Sequence, residues 1–141
     1  MPISKRVLVH LPPIWNGAAF SPADSTTYYV AINGAAPNTT IQDARPIVPF
    51  PCVIRHASIV VNVAGTLGTT EAVTVGIRVL NTTNYVLSSA VVFDATRRTY
   101  DVDGLNIPLA SGDDYAGYIT TPAWVTNPTN PLIWITLYVE P

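Results

Sequence analysis

The stretch ASIVVNVAGTLGTTEAVTVGIRV, residues 57–79, sets the fold class. Ala57, Ile59, Val61 and Val63 share one face, with Ser58 and Asn62 opposite. After Gly65 and Gly68 the alternation resumes. Val73, Val75, Ile77 and Val79 share a face opposed by Thr74, Gly76 and Arg78. Period-2 alternation on either side of a glycine-containing turn is the pattern of half-buried antiparallel strands.

The same pattern recurs outward from this pair. Tyr85, Leu87, Val91 and Phe93 form a third apolar face, broken by Ser89. Ile133, Ile135, Leu137 and Val139 form a fourth, with Trp134, Thr136 and Tyr138 opposite. A weaker strand covers Thr26 to Ile32. A more polar one, Thr96 to Asp103, reads as a sheet edge blunted by charge. Turn chemistry separates the runs at Asn81 to Asn84, at Gly104 and at Ser111 to Asp114. No apolar stripe at helical spacing occurs. Short strands with turn signals between them predict an all-β, antiparallel β-sandwich.

Residues 1–45 differ from the rest of the chain. Pro2, Pro12, Pro13, Pro22 and Pro37 interrupt them, and proline removes ladder donors. Yet the segment carries Val7, Leu8, Val9, Leu11, Ile14, Trp15 and Phe20. Two readings compete. The segment folds back as an edge strand and loop of the same sandwich, or it extends at about 3.3 Å per residue beyond the body. The expectation is the second: an extended, proline-containing N-terminal arm (1–45) on a sandwich domain (46–141).

The chain has 141 residues, 48% of them hydrophobic and only 11% charged, against about 25% in an average domain. Disorder requires the opposite balance. The formal net charge of −2 includes no basic stripe, and Arg97 and Arg98 point to opposite faces of a strand. Nucleic acid is therefore not expected as a partner. The uncharged stretch from Ala116 to Val139 is broken by Pro122, Pro128 and Pro131, so no spanning helix and no membrane association are expected.

Catalytic and metal constellations are not found. The single cysteine, Cys52, lies four residues from His56, about 13 Å along a strand, too far for a thiolate and its base. A small buried residue is the better reading of Cys52. The two histidines, His10 and His56, have no ligand spacing. Asp101 and Asp103 fall in D-V-D-G without the remaining ligands of a calcium loop. No catalytic residue, metal or cofactor is assigned, and the chain is not read as an enzyme. Tyr115, Tyr118 and Trp124 lie near expected loops and are candidate surface aromatics.

Three stretches carry a resemblance: the strand pair IVVNVAGTLGTTEAVTVGIRV (59–79), the turn LNIPLASGDDY (105–115), and TTPAWVTNP (120–128) leading into LIWITLYV (132–139). Together, over roughly residues 53–139, they resemble the jelly-roll modules of viral coat, fibre and decoration proteins. Within that group the chain is most similar to the auxiliary, or cementing, proteins of tailed-bacteriophage capsids. That resemblance implies a homotrimer on the capsid exterior of the virion. It further implies that the arm residues Val7, Leu8, Val9, Leu11, Ile14, Trp15 and Phe20 bind the major capsid protein or a neighbouring trimer. The alternative is the receptor- or glycan-binding head of a viral fibre or spike, using Tyr115, Tyr118 and Trp124. The charge-poor outward positions agree with burial against other subunits.

Overall fold

The computed structural model describes residues 7–31, 34–41 and 45–141. Ten strands and no helix are found among them: β1 (Val9–His10), β2 (Ile14–Trp15), β3 (Thr27–Val30), β4 (Cys52–Val63), β5 (Val73–Val79), β6 (Thr83–Val91), β7 (Arg98–Val102), β8 (Ile107–Leu109), β9 (Tyr115–Thr120) and β10 (Pro131–Glu140). No helix among the described residues is long and apolar enough to cross a membrane. Ile32, the expected end of the weaker strand, lies outside the described residues.

The strands form two antiparallel sheets. In the first, β1 and β2 flank β10 on one side. β4 follows β10, and β7 and β8 flank β4 on its far side. In the second, the order is β3-β9-β5-β6. If the interrupted edges β1/β2 and β7/β8 each count as one run, the sheets read 1-8-3-6 and 2-7-4-5 in chain order. That is the double Greek key of a jelly roll. The all-β sandwich expected from periodicity is the fold observed.

Alternation along the long strands builds the core. Ile59, Val61 and Val63 of β4 and Ile133, Ile135, Leu137 and Val139 of β10 point inward, against Val73, Val75 and Ile77 of β5. Each such side chain contributes about 1.5–3 kcal/mol on full burial.

The N-terminal segment requires a correction. Its described residues do not form an arm beside a separate sandwich. β1 and β2 pair with β10, and β3 pairs with β9, so each sheet takes an edge strand from residues 7–31. Leu11 (2% exposed) and Ile14 (0%) lie in the core, unavailable to a partner in this fold. The boundary at 45/46 is therefore not a structural division. Pro12 and Pro13 are tolerated because they interrupt an edge, where a missing donor breaks no inner ladder. The backbone N–H of Leu11 still bonds the Leu137 carbonyl at 2.9 Å, and the Tyr115 hydroxyl donates to the The Pro12 carbonyl at 2.9 Å.

Strand β9 is a second correction. Tyr115 and Tyr118, expected near loops, both lie in a strand whose first five residues are all buried. Tyr115, Gly117 and Ile119 face the core, where Gly117 leaves room for Ile135 and Ile14. Tyr118 lies over Gly76 on the neighbouring strand, and a Cβ there would stand 2.5 Å from its ring. With both faces covered, β9 shows no alternation.

Candidate functional site

The two sheets present very different outer faces. On the first, the outward residues of β10 are Leu132, Trp134, Thr136 and Tyr138. Trp134 stands between Trp15 of β2 and Val60 of β4, and Leu132 stands opposite Asn62. The indoles of Trp15 and Trp134 stack at 5.2 Å between ring centroids, 17° from parallel. Trp15 is backed in turn by Gly17 and Gly34, where a Cβ would come within 2.7 and 2.6 Å of its ring. Gly17 N–H bonds the Gly34 carbonyl at 2.7 Å, which closes this backing. A groove of about 610 Å³ runs beside the pair, over Val60 and towards Asn62, Arg97 and Thr136.

A polar cluster occupies the other end of this face. Tyr138 pairs with His56 but Val139 pairs with Ile54, so Arg55 is the extra residue of a β-bulge. Ile54 and Ala57 remain in the core, and Arg55 and His56 both fall on the partly exposed side. The His56 ring lies 5.3 Å from the Tyr138 ring. Its Nδ1 is 2.7 Å from Asp103 and its Nε2 is 3.6 Å from Asp101. Arg55 reaches Glu140 at 3.3 Å and Asn106 at 2.7 Å. Sequence spacing could not find this cluster, because the bulge and the β4–β7 register create it. The aspartates of D-V-D-G thus meet an imidazole. No group of three or more histidine, cysteine or acidic side chains among the described residues is placed to hold a metal.

The second sheet is nearly free of charge. Arg78 is the one charged residue in its four strands. Its guanidinium bonds Asn84 at 2.8 Å and Asn81 at 3.1 Å, and it lies 5.7 Å over the Tyr29 ring. Val86 stands exposed on the edge strand β6.

The residues singled out from sequence are scattered. Val7, Leu8 and Val9 are exposed along and just before the β1 edge. Trp15 is half-buried against Trp134, and Phe20 packs edge-on against Tyr28 at 5.5 Å. Leu11 and Ile14 belong to the core. The three candidate surface aromatics are corrected: Tyr115 (0% exposed), Tyr118 (4%) and Trp124 (5%) are all buried. Desolvation by burial raises the hydroxyl pKa values of both Tyr115 and Tyr118. Cys52 is buried as expected, and burial pushes its thiol up, away from the thiolate a nucleophile needs. Among the described residues the exposed aromatic is Trp134, which alternation marks only as an outward residue of the closing strand.

No family model matches the chain, and no curated protein matches it. Among solved structures, it is similar to a chain of the cyanophage Pam1 capsid asymmetric unit. The TM-score is 0.47 and the sequence identity 11%, over 100% of this chain and 91% of that chain.

Proposed function

We propose that the chain is a structural protein of a virion, a homotrimeric decoration protein that binds the outside of the capsid shell and stabilises it. The observation that carries this reading is the outer face of the second sheet, at the outward residues of β5 and β6 beside the covered strand β9. Four strands there carry the single charge of Arg78, already held by Asn81 and Asn84. A surface with so few charges is costly for a free monomer and cheap to bury against another protein. Val7, Leu8 and Val9 extend the apolar surface along the first sheet's edge and are the part of the N-terminal segment left free to reach a neighbour. The partner is the major capsid protein, and the contribution is cohesion; no catalysis, nucleic acid or membrane belongs to this reading. The fibre-head alternative loses its motivating aromatics, since Tyr115, Tyr118 and Trp124 are buried.

Co-sedimentation with empty heads of the encoding virus tests the reading, alongside light scattering of the purified chain. Binding to heads is expected, with a mass near three times 15.1 kDa. Thr74→Glu and Val86→Glu introduce charge on the second sheet and should abolish binding while far-UV circular dichroism is unchanged. Heads that fail to retain the wild-type chain, or retain both variants equally, overturn it.

A further inference from the structure

The geometry points to a second, separate site: the groove beside Trp134 binds an acidic saccharide, with a pyranose ring against the indole and its carboxylate on Arg97. Trp134 is 42% exposed, an unusual position for so large an apolar group. One of its faces is fixed by Trp15, and Trp15 is fixed by Gly17 and Gly34. An exposed side chain held this way loses little further freedom when a ligand arrives. Its other side looks across Val60, its cross-strand neighbour.

The groove's size and lining set the ligand class. About 610 Å³ lies within the range of small-ligand sites and suits one to a few sugar rings. The polar lining is rich in donors. Asn62 Oδ1 accepts the Val63 N–H, which leaves the Asn62 amide Nδ2 free. Arg97 lines the groove and forms no hydrogen bond or ion pair with the described residues, unlike Arg98, which reaches Asp94 at 3.9 Å. Thr136 adds a hydroxyl. Asn16, also at the groove, is committed: its amide donates to the Pro131 carbonyl at 3.0 Å and its oxygen accepts the Ile133 N–H at 2.7 Å. No carboxylate lines the groove among the described residues. Free donors and an unpaired guanidinium without an opposing acid fit a ligand rich in acceptors and negatively charged. A flat apolar wall opposite them fits the C–H face of a pyranose. A peptide strand would instead seek a row of backbone partners, which the inner strands β10 and β4 have already used on each other.

The site does not depend on shell binding, which is assigned to the opposite sheet and to Val7, Leu8 and Val9 at the β1 edge, none of which lines the groove, so the two readings fail separately. The test titrates the full chain with trigalacturonic acid and, in parallel, with neutral maltotriose, following tryptophan fluorescence and binding heat. We expect millimolar or tighter binding of the acidic probe, weaker binding of the neutral one, and a change in tryptophan emission. Arg97→Gln, an exposed position outside the core, should weaken the acidic probe about tenfold with an unchanged melting temperature. Trp134→Ala should remove binding of both probes. The proposal is overturned if neither probe binds at millimolar concentration, or if both bind equally. It is also overturned if Arg97→Gln leaves the affinity unchanged, or if the emission changes with protein concentration alone, which would give the groove to a second copy of the chain.

Discussion

Residues 7–31 and strand β10 lie side by side in the first sheet, yet they read very differently as sequence. β10 alternates strictly and pairs with β4 along its length, while β1 and β2 meet it in two short stretches on the other side. The N-terminal segment is broken by Pro12 and Pro13 and shows no period. Even so, Ile14 opposite Ile135 is as fully buried as its partner, and Leu11 is nearly so. Periodicity reports how regularly a strand is paired, not how much it contributes to the core. An edge run can lose two donors to proline and still deliver its apolar side chains inward.

The largest test removes the segment. Deleting residues 1–20 takes away β1, β2 and two core side chains, so cooperative thermal unfolding should disappear. A truncated chain that keeps a sharp transition would restore the picture of a detachable arm. Next, Ile14→Ala and Ile135→Ala should each cost about 2–5 kcal/mol in urea titrations, because both leave a cavity in one core. A cost for Ile14→Ala below about 1 kcal/mol, with the full cost at Ile135, would mark the segment as peripheral after all.

The second sheet sharpens the same point from its buried strand. Gly76→Ala drives a Cβ against the Tyr85 carbonyl and the Tyr118 ring and should cost about 1–3 kcal/mol, read from the melting temperature. A neutral result would mean that Tyr118 moves freely and that the outer cover of β9 is loose. A smaller effect is expected at the join between residue 45 and β9. Arg45 holds Asp114 through Nε at 3.0 Å and Nη2 at 3.3 Å. Asp114→Asn should cost under about 1 kcal/mol, less still at high salt.

The smallest effect concerns pH. The Thr69 hydroxyl, then backbone N–H groups including that of Val125, hold the Glu71 carboxyl below its ordinary value of 4.5. A depressed folded-state pKa adds stability above the ordinary value and loses it as pH falls through the lowered one. Wild type should therefore exceed Glu71→Gln in melting temperature near neutrality, and the gap should close on acidification. A gap that widens in acid would reverse the assignment.

Fold class and four of the long strands were legible in the residues alone, because alternation follows directly from the two-residue period of a pleated chain with one wet face. So were the burial of Cys52 and the scarcity of charge at outward positions. The remainder depends on how the sheets close. β9 is invisible to periodicity because both of its faces are covered. Tyr115, Tyr118 and Trp124 look like loop aromatics until neighbouring strands close over them. The pairing of Trp134 with Trp15, 119 positions apart, and of His56 with the aspartates of β7 and the turn after it, comes from strand register and one bulge. Those are properties of which strands meet. A local pattern says which way a side chain points, but only the closed sandwich says what it meets there.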